Sequence, residues 1–339
     1  NLINDKFMRR QLIRSGNEVV QLGFDQTQDT NEVLDKAEQK IFEISQEKPS
    51  KGLTQAAEIL TTTFNEIESR SLGTSVAGIP VNFYDFDAIT QGLSPGNLYI
   101  IGGRPAMGKT SFVLNVAKNI GQIQKLPICF FSLETSQKML CYRLLSMETG
   151  IESGRLRTGR LTQEEWPIVG EAIYFLNKNP IYLIDKASIQ VSEIYQICKK
   201  VKNINNQNIG AIFIDFLQLM EDKSLGRNIL REDELSKIMN DLKNLSINLE
   251  VPVIITSQLK RELETRTNKR PMLSDIRDSE VIENRADLIA FIYRDEYYDP
   301  ETLDRGITEI IVAKQRNGPV GTVKLLFEPQ YTRFRNLID

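Results

Sequence analysis

The chain has 339 residues, of which 41% are hydrophobic and 26% charged, and its net charge is −3. That length fits one large domain with accessory elements, and so small a charge excludes wholesale coating of nucleic acid while leaving room for a local basic patch. Histidine is absent, which removes Ser-His-Asp and Cys-His catalysis and histidine metal ligands and leaves Asp, Glu, Lys, Tyr or Cys as general bases. Cys129, Cys141 and Cys198 show no paired spacing, so we expect free thiols in a reducing compartment and no zinc. No apolar run approaches the ~20 residues that cross a bilayer, and no membrane partner is expected. The chain does not begin with Met and opens in a helical pattern, so it reads as a piece of a longer protein.

Residues 1–22 carry Phe7, Met8, Leu12, Val19 and Leu22 near helical spacing. Asp29 followed by Glu32 signals a second helix start, with Val33, Leu34, Ala37, Ile41 and Phe42 on one face. The pair predicts a helical hairpin over residues 1–45. A linker follows over 46–77, and within it a third helix from about Leu53 aligns Ala56, Leu60, Phe64 and Ile67. That stripe suits either a helix packed on its own domain or one docked on a neighbouring subunit, and periodicity does not decide.

From Gly78 to residue 339 the pattern changes to short β-rich runs. They cover Leu98–Ile101, Ile128–Ser132, Ile181–Ile184, Ala211–Phe216, Val253–Thr256, Leu288–Tyr293, Glu309–Ala313 and Val323–Phe327. Continuous apolar runs suit parallel strands buried on both faces, and helical stretches separate the earlier ones. The expected fold class is α/β: a three-layer domain with a mainly parallel sheet, preceded by the helical hairpin and linker helix. The turn-rich Arg316–Gly321 segment predicts an antiparallel final pair.

Gly103-Arg-Pro-Ala-Met-Gly-Lys-Thr110 lies between a strand and a helix expected from about Thr110 to Ile120. This is a phosphate-binding P-loop in its required context, and its grip on ATP takes in Gly103, Met107, Gly108, Lys109, Thr110 and Ser111. Lys109 reaches the β- and γ-phosphates, and the Thr110 hydroxyl ligates Mg²⁺. Asp215 closes the apolar run Ala211–Ile214, as a second Mg²⁺ ligand does. Glu134 closes the first strand after the P-loop helix, where it could orient the attacking water or cap the next helix. Gln258 ends another strand, either sensing a γ-phosphate or lying on the surface. In Lys314-Gln-Arg316-Asn-Gly-Pro319, an arginine on a tight turn suits either an arginine finger or a solvated turn. From Gln258 to Arg270 the charges sum to +3 and include Arg261, Arg266 and Lys269, which fits either a nucleic-acid backbone or solvent.

Together these motifs resemble the replicative hexameric DNA helicases of the DnaB type, in the RecA-like ATPase class. The match also takes in Gly78-Ile-Pro80, Gly92-Leu-Ser-Pro-Gly-Asn-Leu98, Ser132-Leu-Glu134, Ile214-Asp-Phe-Leu-Gln-Leu219 and Ser257-Gln-Leu259. It continues through Arg270-Pro-Met-Leu-Ser-Asp-Ile-Arg277, Phe291-Ile-Tyr-Arg-Asp-Glu296 and Lys314-Gln-Arg-Asn-Gly-Pro319. The resemblance implies that Glu134 is the catalytic glutamate and that Gln258 links γ-phosphate state to DNA contacts. It makes Lys314 and Arg316 a pair acting from the adjacent subunit, and Arg277 part of a DNA-binding loop. It also implies a homohexamer moving 5′ to 3′ on single-stranded DNA, a primase and a helicase loader as partners, and a bacterial cytoplasm with its nucleoid or a plastid stroma. Two departures stand out: Glu280 replaces a loop glycine and Asn240 an arginine frequent in the family. The rival readings are a RecA-like recombinase or regulatory ATPase that binds DNA without unwinding it, and a P-loop phosphotransferase.

Overall fold

The computed structural model describes residues 2–24, 29–30, 33–34, 36–37, 40, 55–72, 77–222 and 230–337. The chain divides into two compact units, one of Asn1–Val76 with Asp222–Ile229 and one of Ala77–Glu221 with Leu230–Asp339.

In the first unit, α1 spans Leu2–Phe24 and α2 spans Ala56–Ser71. Between them in sequence, residues 30, 33–34, 36–37 and 40 are helical, the Val33 amide donates to Asp29 O at 3.0 Å, and Lys40 pairs with Glu18 of α1 at 2.9 Å. Ile41, Phe42 and Leu53 lie outside the described residues. The apolar stripe of α2 is exposed: Leu60 and Phe64 are each 65% accessible and Ile67 58%.

The second unit is built on nine strands, β1 (Leu98–Gly103), β2 (Ile128–Ser132), β3 (Ile181–Asp185), β4 (Ala211–Asp215), β5 (Val253–Gln258), β6 (Leu288–Tyr293), β7 (Ile307–Gln315), β8 (Gly321–Glu328) and β9 (Arg333–Asn336). Their order is β3-β2-β4-β5-β1-β6-β7-β8-β9. Pairing is parallel from β3 to β6 and antiparallel from β6 to β9. Every residue of β1, β2, β4 and β6 is buried, because helices cover both faces of the parallel part. β8 instead alternates, with Val323, Leu325 and Phe327 inward and Thr322 and Lys324 exposed.

The eight expected strands are all present, each extended by at most two residues at an end or trimmed by one. β9 escapes a sequence reading because Arg333-Phe-Arg-Asn336 offers one apolar side chain. Tertiary contacts make it a strand: buried Asn115 donates to Thr332 O at 3.0 Å and accepts from the Phe334 amide at 3.2 Å.

The helices of this unit are α3 (Tyr84–Thr90), α4 (Lys109–Asn119), α5 (Gln137–Thr149), α6 (Ser153–Thr158), α7 (Glu165–Leu176), α8 (Val191–Asn205), α9 (Arg231–Leu249) and α10 (Ser279–Arg285). The P-loop helix α4 is buried from Ser111 to Ala117, and its buried Asn115 is satisfied by backbone carbonyls. On one face of the sheet it packs with Tyr99, Ile101, Phe130, Phe213, Ala290 and Ile292. The alternate residues point the other way, where α9 lies on β1 and β5 and buries Leu235, Ile238, Met239, Leu242 and Leu245.

Candidate nucleotide-binding and hydrolysis site

Parallel strands bring their C-terminal ends to one edge. Gly103 at the end of β1 is level with Gln258 at the end of β5, and Ser132 of β2 is level with Asp215 of β4. The chain leaves β1 directly into the P-loop. Gly108 caps α4 at φ +97°, and a Cβ there would sit 3.3 Å from the Phe334 ring and 3.4 Å from Phe327, so glycine is required by conformation and by space. Ala106 also holds a positive φ of 64°.

Around this loop lies a cavity of about 410 Å³ that also meets Glu134, Arg143, Asp215, Gln258 and Arg294. Asp215 is 2% exposed, and its two oxygens accept from Thr110 Oγ1 at 2.7 Å and Thr256 Oγ1 at 2.5 Å. Lys109 Nζ donates to Arg104 O at 2.9 Å. Burial pushes the Lys109 ammonium down to about 8, against the pull of Asp215 and Glu134.

Glu134 lies two residues beyond β2. The cap of α5 is Ser136, and the Gln137 amide is held by Asp185 at 3.0 Å, so Glu134 is not the helix cap. The side chains of Glu134, Gln258 and Arg143 have no hydrogen-bond or ion-pair partner among the described residues. Three polar groups facing the cavity uncommitted are available to a polyanion and its attacking water.

Arg143 is the residue that sequence reasoning missed. It lies nine positions after Glu134 on α5, and burial lowers its pKa while Asp215 and Glu134 oppose that. An arginine on a helix gives no signal in sequence, because only the packing of α5 turns it toward the cavity. On the far wall the Arg294 guanidinium lies 4.8 Å over the Phe327 ring and donates to Ala106 O at 3.3 Å, giving a flat face with apolar backing.

P-loop chemistry implies a divalent cation, and the donors fit Mg²⁺. The Thr110 hydroxyl and Asp215 carboxylate are an all-oxygen pair, and Mg²⁺ is ordinarily held by one or two such groups with phosphate oxygens and water. Among the described residues no cluster of three His, Cys, Asp or Glu could hold a metal unaided.

Lys314 and Arg316 are nowhere near this cavity in their own chain. The Arg316 amide donates to Asp287 O at 2.9 Å, and Asp287 in turn accepts from the Leu98 amide at 2.7 Å. Leu98 starts β1 and Gly103 ends it, about 17 Å away at strand rise. The Arg316 guanidinium donates to Asn284 O at 2.5 Å, and Lys314 donates to Glu283 O and Ala286 O.

The basic residues divide into two groups. Arg266 pairs with Asp275 at 2.8 Å and donates to Arg270 O at 3.0 Å, and the Lys269 ammonium sits 5.0 Å over the Tyr298 ring. Both have partners within the chain. The side chains of Arg261 and Arg277 have no such partner among the described residues. Glu280 and Asn240, the two departures, line one cleft together with Glu232 and Arg285.

The sheet order and the convergence of P-loop, Asp215 and Glu134 on one cavity define a P-loop nucleotide hydrolase. Residues 78–336 match the DnaB-like helicase C-terminal domain family. The replicative DNA helicase DnaB of Geobacillus stearothermophilus is 41% identical over 337 residues, which cover 99% of this chain and 74% of that protein. The replicative DNA helicase DnaC of Bacillus subtilis is 40% identical over the same shares of the two chains. Among solved structures, a DnaB-like replicative helicase described with its interactions with primase gives a TM-score of 0.82 at 33% identity, covering 99% of this chain and 78% of that one. A separate ATPase domain matches with 0.79 at 37% identity, covering 85% of this chain and all of that one. This chain belongs to the DnaB-like replicative DNA helicases, which makes it an ATP-dependent enzyme of RecA-like fold.

Proposed function

We propose that the chain works as a homohexameric ring that moves 5′ to 3′ along single-stranded DNA and unwinds the duplex at a replication fork, with each ATP site shared by two subunits. The observation that carries this reading is the position of Arg316. Its anchor lies at the opposite end of β1 from its own P-loop, too far for an arginine side chain to span, which supports a phosphate partner held by another copy. The exposed stripe of α2 supports the same assembly, as a helix docked on a neighbour.

In that site one subunit grips the β- and γ-phosphates with Lys109 and the P-loop amides at the positive end of α4. Thr110 and Asp215 would hold Mg²⁺, which when bound neutralises charge on the phosphates. Glu134 orients the attacking water and accepts its proton. Arg143 from the same subunit, and Arg316 with Lys314 from the next, face the charge that builds on the transferred phosphoryl group. Gln258 reads the γ-phosphate at the edge of the segment that carries Arg261 and Arg277, which contact the DNA backbone. Arg266 and Lys269 shape that segment from within. A primase is the expected partner, supported by the relative solved with one, together with a loader. A bacterial nucleoid or a plastid stroma accommodates the activity.

Mixing variants tests the shared site. Glu134→Gln and Arg316→Ala are each expected to be nearly inactive. Mixed rings place intact Arg316 beside intact Glu134 at some interfaces, so partial ATP hydrolysis returns. No recovery despite mixed assembly would end the trans assignment.

A further inference from the structure

We propose that Arg104, in the P-loop, is a positioning residue that ties the phosphate-gripping lysine to the segment presenting Arg261 and Arg277. ATP affinity and DNA affinity then depend on one another through it. The proposal rests on the reading of those two arginines as DNA contacts, and it gives that site a coupling route separate from Gln258.

Arg104 is held at both ends. Its carbonyl accepts from Lys109 Nζ at 2.9 Å. Its guanidinium reaches the other way, with Nε donating to Glu264 at 2.9 Å and Nη1 to Leu259 O at 2.9 Å. The arginine side chain is 11% exposed and Glu264 32%, so water screens this pair less than a surface pair. A guanidinium holding two acceptors with separate donors fixes direction as well as distance.

Those acceptors lie on a cross-braced unit. Leu259 bridges antiparallel to Ile276, and the Lys260 amide donates to Asp275 O at 2.7 Å. Asp275, itself buried, accepts from Arg266 at 2.8 Å and from the Met272 amide at 2.7 Å. Arg277 is the residue after Ile276, and Arg261 lies between Leu259 and Glu264. A shift of Leu259 and Glu264 is therefore carried to both arginines as a body. A phosphate tail that draws Lys109 moves the carbonyl it is bonded to, and with it the guanidinium. Coupling of this kind is reciprocal: the factor by which DNA tightens ATP equals the factor by which ATP tightens DNA.

The intact helicase is titrated with a non-hydrolysable ATP analogue, with and without oligothymidylate, and with oligothymidylate, with and without the analogue. Glu264→Gln is nearly isosteric and keeps an acceptor but loses the charge. We expect analogue affinity and ATP hydrolysis without DNA to stay within about twofold of the parent, while both coupling factors fall together, by about fivefold or more. Arg104→Lys keeps the charge but loses the second directed donor, and falls between the two. A uniform loss of analogue affinity with and without DNA would assign the pair a merely structural role and overturn the proposal. So would unchanged coupling in both variants, or a parent protein with no coupling. Arg277→Ala separates the underlying reading: if it leaves oligothymidylate affinity unchanged, the DNA-contact assignment fails, whereas a loss there with full coupling in Glu264→Gln condemns the Arg104 route alone.

Discussion

Lys109 sits between opposed influences. Burial lowers its pKa from the ordinary 10.5 to about 8, and ATP binds the ammonium rather than the amine, so binding raises that pKa again. Nucleotide affinity is therefore full below about pH 8 and weakens above it, by up to about tenfold per pH unit. Stability runs the other way: the unfolded chain holds this proton more tightly than the folded one, so the Lys109 contribution to stability rises with pH from about 8 to 10.5. Nucleotide titrations between about pH 7 and 10 measure the first effect, and Lys109→Arg, whose charge does not titrate there, flattens the curve. A break that persists in that variant would belong to another group. Arg143 carries a sharper expectation. Its removal as Arg143→Ala is expected to cut kcat by about 10²–10³, the size seen when one preorganised donor to a transition-state charge is lost, with a smaller effect on nucleotide affinity. An unchanged kcat would leave the residue as packing.

Among the helices, α2 is the one whose partner its own periodicity could not name. Its stripe satisfies the spacing of a buried face, yet Ile59, Leu60, Phe64 and Ile67 are exposed. Phe64→Asp is expected to leave the thermal unfolding of the ATPase unit unchanged and to shift the particle from ring to smaller species, read by light scattering. An unaltered ring would show that the stripe is not an interface. The strands were legible for a different reason. A strand buried on both faces must be apolar at successive positions, and Ile128-Cys-Phe-Phe-Ser132 or Ala211-Ile-Phe-Ile-Asp215 have little other use. β9 and Arg143 were not legible, because contacts distant in sequence decide both.

Across the whole ATPase unit, one buried network holds the end of β1 opposite the P-loop. Asp287 accepts from Lys243 Nζ at 2.6 Å and from the Leu98 amide at 2.7 Å, and its carbonyl holds the Arg316 amide at 2.9 Å. The Lys243 and Asp287 side chains are 20% and 9% exposed. Asp287→Ala leaves that lysine mostly buried and without its carboxylate, so it is expected to cost about 3–5 kcal/mol of stability, measured by denaturant unfolding. It also removes the carboxylate that lies 3.7 Å from the Arg316 guanidinium, so ATP hydrolysis in the assembled ring is expected to fall even where the protein remains folded. A stability loss below about 1 kcal/mol would mean that Lys243 finds water instead.

The chemistry and the layering are already present in the linear chain. Glycines at fixed spacing before Lys109 and Thr110 can serve few purposes other than cradling phosphates, and strand-end carboxylates at Asp215 and Glu134 follow from the way parallel strands converge. Which cations are available emerges only on folding. Arg261, Arg266, Lys269 and Arg277 read alike along the chain, yet Asp275 and Tyr298 take two of them. Folding also sets Arg316 at the wrong end of β1 for its own P-loop. Charge is a property of the residue, but whether that charge is spent, and on which molecule, depends on what the fold sets beside it.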